Sequence, residues 1–129
     1  IAEAHQLGLL TCPYVFNEEE AAQMANAGAD VLVPHMGLTT SGTIGASTAM
    51  TIEDAAKRVQ ALRDAAASVR DDILVLCHGG PIAEPADAAY VLAHTTGVVG
   101  FFGASSIERL PTERALTQQV RDFKGLGIN

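Results

Sequence analysis

Ile73-Leu-Val-Leu-Cys-His-Gly-Gly-Pro81 is a continuous apolar run that stops abruptly at His78 and two glycines. An apolar run without alternation reads as a strand buried on both faces, as in parallel sheets covered by helices. Gly79 and Gly80 would let backbone N–H groups approach a ligand closely, and Pro81 would stiffen the exit. Taken alone, the same residues also suit a tight turn with a capping histidine, so the flanking segments decide between the two.

Those segments repeat a strand-then-helix order on both sides. Leu9-Leu-Thr-Cys-Pro-Tyr-Val-Phe16 has strand character, and Asn17-Glu-Glu-Glu20 follows as an N-cap with Glu at N3, close to a capping box. Asp30-Val-Leu-Val-Pro-His-Met-Gly37 reads as the next strand, with Pro34 near its end, where a missing ladder donor does least harm. Thr51-Ile-Glu-Asp54 caps a helix running to about Val69, with Ala55, Val59, Leu62 and Ala66 on one face. After the opening stretch, Glu84-Pro85 starts a helix with Pro at N1 that ends near His94 to Gly97. Gly97 to Ser106 is a fourth strand and its loop; one short helical turn then precedes Pro111, where the last helix opens, ending at Lys124-Gly125.

Four β/α units in series require parallel strands joined by right-handed crossovers. The fold class is therefore α/β, with residues 1–129 forming one unit. An open doubly wound sheet satisfies the pattern, and so does half of an eight-stranded β/α barrel, since a complete barrel needs about 250 residues. The chain starts at Ile1 inside a helical pattern, with Gly8 as its C′ residue, so sequence upstream of it is expected.

Composition narrows the function classes. Eight Lys plus Arg against fifteen Asp plus Glu give a net charge of −7, and the basic residues form no cluster. Nucleic-acid binding needs clustered positive charge and is not expected. Nor is a membrane partner, because no apolar stretch reaches spanning length. Cys12 and Cys77 lie inside apolar runs rather than at metal-ligand spacing, the pattern of buried reduced thiols in a cytoplasmic protein.

The candidate chemistry sits at the strand ends. His35 and His78 close two strands, Tyr14 ends another, and a closed barrel would bring such ends to one face, where imidazoles can move protons. His5 and His94 fall on helices and read as structural. The last two units match the phosphate-binding arrangement of barrels, in which the loops after the final strands and the start of a short helix hold the anion. Gly79 and Gly80 would supply one wall, and Gly103, Ala104, Ser105 and Ser106 the other. Arg109 is the one basic side chain nearby, either on the anion or paired with Glu108 or Glu113. Gly37 to Met50, including Thr39 and Thr40, lacks apolar periodicity and reads as a ligand loop. No strand ends in Asp or Glu, so these four cannot build a carboxylate metal site.

Four strings together carry a resemblance: Thr-Cys-Pro-Tyr-Val-Phe (11–16), Pro-His-Met-Gly-Leu-Thr-Thr (34–40), Leu-Cys-His-Gly-Gly-Pro-Ile (76–82) and Gly-Phe-Phe-Gly-Ala-Ser-Ser-Ile-Glu-Arg-Leu-Pro (100–111). They resemble the phosphoenolpyruvate hydrolase-like family of TIM-barrel proteins, also described as phosphonopyruvate hydrolases. The resemblance covers the whole chain and implies the second half of the barrel, strands five to eight. It further implies an enzyme acting on a small phosphorylated or phosphonylated 2-oxo acid. Magnesium would then be held by acidic residues on early strands that lie outside these four units. The family barrel also occurs fused behind a nucleotide-binding-like domain, including in plant proteins that resist tobamoviruses.

Two functions follow as expectations. One is a hydrolase or lyase of C–P or P–O bonds, with His35 and His78 as catalytic groups and Tyr14, Thr39, Thr40, Gly79, Gly80, Gly103 to Ser106 and Arg109 around the substrate. The other is a barrel that binds a phosphometabolite, or scaffolds a partner, without chemistry. Four units leave two open parallel edges and an uncovered interior, so the isolated chain should be inactive and should pair with another copy or with the remaining half-barrel.

Overall fold

The computed structural model describes residues 1–43, 45, 47 and 50–127. It contains strands β1 (Tyr14–Val15), β2 (Val31–Pro34), β3 (Leu74–Cys77) and β4 (Gly100–Phe101). The helices are α1 (Ala2–Gln6), α2 (Glu18–Asn26), α3 (Ile52–Ala67), α4 (Pro85–Ala93), α5 (Ser105–Glu108) and α6 (Leu110–Lys124). All strand pairings are parallel, and the sheet order is β1-β2-β3-β4. A doubly wound sheet reverses its order at a switch point. Sequential order with right-handed crossovers instead puts the three connecting helices, α2, α3 and α4, on one side, which is how a barrel wall is built.

Local chemistry explains the helix boundaries. The Asn17 side chain accepts a hydrogen bond from Glu20 N–H at 2.9 Å, while the Glu20 carboxylate accepts from Phe16 N–H at 2.8 Å and Asn17 Nδ2 at 2.8 Å. Thr51 caps α3 by accepting from Asp54 N–H at 3.1 Å. At α4, Asp87 accepts from the N–H groups of Ala83 and Glu84 at 3.1 and 2.8 Å, which leaves Pro85 free to stand first in the helix.

The core lies between the sheet and α2, α3 and α4. Ala55, Val59, Leu62 and Ala66 of α3 are fully or almost fully buried against Val15, Leu32, Val75 and Cys77 of the strands. Burying a side chain such as Leu62 contributes about 1.5–3 kcal/mol. Burial also drives the Cys77 thiol up to about 11, so it stays protonated and packs as a small hydrophobe. On the side of the sheet away from the site, the Asp30 carboxylate accepts from both the N–H and the hydroxyl of Thr11 at 2.7 Å. That clamp ties the lead-in of β1 to the start of β2.

Two expectations change. The opening stretch is not buried on both faces: Val75 and Cys77 are covered, but Leu74 is 50% exposed and Leu76 half-buried. A single layer of helices covers one face of the sheet; the other face lacks such a layer, and there Val33 is buried while Leu74 lies open. The last helix begins as expected yet hardly joins the core. Leu110 is buried, whereas Leu116, Val120 and Phe123, one stripe along α6, are exposed.

Candidate functional site

Alternation and register place the candidate side chains. In β2 and β3, Val33 and His35 point to the open face, as do Leu74, Leu76 and His78, and His35 pairs with His78 in a parallel bridge. Tyr14 pairs with Val33 and so shares that face. The result is an aromatic cluster at the C-terminal ends of all four strands. The Tyr14 ring stacks on His78 with centroids 5.0 Å apart and planes 8° apart, and meets His35 edge-on at 4.8 Å. The two imidazoles are 4.9 Å apart at 69°. Phe102 closes the far side 5.7 Å from His78, and Phe16 the near side 5.2 Å from His35.

Backbone groups fix both imidazoles. His78 is 7% exposed, and its Nδ1 donates to the Phe102 carbonyl at 2.7 Å. His35 Nδ1 accepts from Gly37 N–H at 3.1 Å. Burial, and then the charge of His78, holds the pKa of His35 below the usual histidine value of 6.5.

The glycines have a packing role that the sequence did not disclose. Gly79 and Gly80 take positive φ of 76° and 58°, and a Cβ would lie 2.4 Å from Gly37 O at the first and 2.2 Å from Met36 O at the second. Gly80 N–H donates to Gly37 O at 2.7 Å, and the Gly80 carbonyl accepts from both Thr40 N–H and Thr40 Oγ1 at 3.2 and 3.3 Å. The pair therefore lets the β2 and β3 loops meet, and the Gly80 N–H is committed to that contact. Gly103 likewise makes room for the Ile107 side chain.

Arg109 takes the pairing role. It bridges Glu113 at 2.9 Å and donates to Ser41 O at 2.8 Å, and the Thr43 hydroxyl donates to the same Glu113 carboxylate. The Thr43 hydroxyl and the Arg109 guanidinium hold Glu113 below the usual carboxylate range. These contacts tie the start of the Gly37–Met50 loop to α6. Ile44, Ala46, Thr48 and Ala49 of that loop lie outside the described residues. Thr39 is half-buried in the loop, and Gly103 to Ser106 are half-buried beyond β4. Ser106 lines a groove of about 380 Å³ with Ala88, Leu92, Phe101 and Ile107, on the helix side of the sheet rather than beside the imidazoles.

The donors at the strand ends are two imidazoles, a phenol and backbone groups. Magnesium takes oxygen ligands, carboxylates above all, so these residues do not fit it. Among the described residues no group of three or more His, Cys, Asp or Glu is placed to hold a metal ion, and no helix is long and apolar enough to cross a membrane.

With the barrel-wall topology and the strand-end cluster in place, comparison with known proteins is decisive on one point: the profile of the phosphoenolpyruvate hydrolase-like proteins matches residues 1–126. The chain belongs to the phosphoenolpyruvate hydrolase-like family. Two tomato (Solanum lycopersicum) relatives, the ToMV susceptible protein tm-1 and the ToMV resistance protein Tm-1, are each 57% identical over 128 residues, covering 99% of this chain and 17% of theirs. A Sinorhizobium fredii relative described as a transcriptional regulatory protein is 31% identical, covering 96% of this chain and 20% of its own length. This phosphoenolpyruvate hydrolase-like chain thus spans about a fifth or less of the curated relatives it matches. Nitroalkane oxidase from Streptomyces ansochromogenes, a TIM-barrel structure, aligns with a TM-score of 0.54 at 27% identity, over 91% of this chain and 35% of that one.

Reading strand ends for polar residues finds Tyr14, His35 and His78 but misses Phe16 and Phe102. Phe102 acts through its carbonyl, which side-chain chemistry does not reveal; its parity with Gly100, opposite to Phe101, was the available signal. The lowered pKa of His35 has a sign that can be checked. Below about pH 6.5 the unfolded chain takes up this proton before the folded one does, so stability falls as pH drops through that window. NMR titration should give His35 a midpoint below 6.5, and His35→Gln should flatten the loss of stability there; a midpoint at or above 6.5 would contradict the geometry.

Proposed function

We propose that this chain supplies strands five to eight of a β/α barrel whose mouth acts on a small phosphorylated or phosphonylated 2-oxo acid, phosphonopyruvate or phosphoenolpyruvate. Water cleaves the C–P or P–O bond, leaving pyruvate and inorganic phosphate. The observation that carries this reading is the imidazole pair, held by backbone groups at the strand ends and lined by aromatic rings. Family membership supports the substrate class. The phosphoryl group lies toward Gly103 to Ser105 and Thr39, because Ser106 faces the helix side and the Gly80 carbonyl holds both Thr40 donors. Arg109 serves this site by holding the loop through Ser41. A cytoplasmic location fits a metabolite of this kind.

The tomato relatives are described by virus susceptibility and resistance, and the bacterial one by regulation. These descriptions favour a second reading, a barrel that binds the phosphometabolite without turning it over, and among the described residues no carboxylate joins the two imidazoles at the strand ends. Incubating the full polypeptide in which these residues occur with each compound and magnesium, and following phosphate by 31P NMR, separates the two. Hydrolysis is expected, falling about 10²-fold or more in His78→Gln. Binding without hydrolysis would establish the second reading, and neither binding nor hydrolysis would refute both.

The open sheet face and the α6 stripe also need cover. Pairing with another copy or with the remaining strands of the barrel is part of this proposal. Sedimentation equilibrium of the 129-residue chain alone should show dimers or larger species; a stable monomer with cooperative unfolding would refute the pairing.

A further inference from the structure

The imidazole pair carries more than the presence of two titratable groups, because each ring is held by a backbone group that can act in only one sense. A carbonyl oxygen only accepts, so His78 Nδ1, 2.7 Å from Phe102 O, carries the proton and leaves a lone pair on Nε2. An amide N–H only donates, so His35 Nδ1, 3.1 Å from Gly37 N, presents its lone pair and leaves the proton on Nε2. The two tautomers are opposite and are set by different strands. Tyr14, stacked flat on one ring and edge-on to the other, holds both planes.

We propose that His78 and His35 form a directed pair for proton transfer on the 2-oxo acid, in which His78 Nε2 is the base at the carbon beside the carbonyl and His35 Nε2–H donates a hydrogen bond to the carbonyl oxygen. The inference rests on the 2-oxo acid reading of the same site. In the step, the C–H bond breaks and its proton goes to His78; its electron pair becomes the C=C bond, and the carbonyl π pair moves to oxygen, giving an enolate beside an imidazolium. His35 keeps its proton and acts as a neutral donor, a role available to an imidazole whose other nitrogen accepts from the backbone. Protonated His78 keeps its Nδ1–H on the Phe102 carbonyl, so the new charge is met by an acceptor already in place. A charged His35 would lose its bond from Gly37, so the polarity of the pair does not reverse. Run backwards, His78 returns the proton to carbon, as the enolate left by C–P or P–O cleavage requires. Phe102 and Gly37 act as positioning residues through their backbone.

Two measurements on the full polypeptide test this. Long-range ¹H–¹⁵N correlation of the imidazole rings, without ligand, should show His78 in the Nδ1–H form and His35 in the Nε2–H form; matching or reversed tautomers overturn the proposal, whether or not any substrate binds. In D₂O, the protein should accelerate loss of the pyruvate methyl signal. His78→Gln should slow this exchange about 10²-fold or more, His35→Gln should slow it less, and His94→Gln should leave it unchanged. Exchange at the wild-type rate in His78→Gln overturns the pair even if phosphonopyruvate is still hydrolysed. Exchange without hydrolysis supports the pair and removes the hydrolytic reading instead.

Discussion

The site depends on how closely the chain beyond β2 meets the chain beyond β3. Met36 N–H donates to His78 O at 3.0 Å and Gly80 N–H to Gly37 O at 2.7 Å. A side chain at position 79 or 80 would collide with the carbonyls that accept or flank these bonds. The two glycines keep the ladder closed for three residues past the regular strands. That extension brings His35 and His78 into register on one face and orients Gly37 N–H toward the first of them. Gly79 and Gly80 thus act on the imidazole pair through the backbone geometry they permit.

The same parallel, sequential order that gathers the strand ends also leaves one face of the sheet without cover. Small residues of α2 and α3 let those helices approach the sheet closely, and the core on that side is complete. On the opposite face, Tyr14, Leu74 and Leu76 remain open to different degrees, in the direction a barrel interior would occupy. The imidazole pair lies at the rim of that open face. Its surroundings in a closed barrel would be drier than they are here, which would strengthen each hydrogen bond at the mouth.

Much of this could be read from the sequence where the determinant is local. Asn17, Thr51 and Pro85 mark helix starts because capping acts within four residues, and the buried stripe of α3 follows from its period. The strand-end positions of His35 and His78 were legible for a similar reason, each closing an apolar run, whereas Tyr14 opens β1 and joins them through its register with Val33. What was not legible depends on distant partners. The apolar run of β3 gives no sign that one of its faces lacks a cover, Arg109 does not reveal Ser41 as its partner across the fold, and the Gly-Gly pair looks the same whether it admits a ligand or a neighbouring loop. The family resemblance, carried by the residues around those same positions, was borne out over residues 1–126.

The central claim is that the strand-end imidazoles face a 2-oxo acid. The most direct measurement is the change in ring nitrogen shifts on adding pyruvate to the ¹⁵N-histidine-labelled full polypeptide. The account predicts that the Nε2 signals of His35 and His78 move together and saturably, while those of His5 and His94 stay in place. Saturable binding that leaves both Nε2 signals unmoved would contradict it.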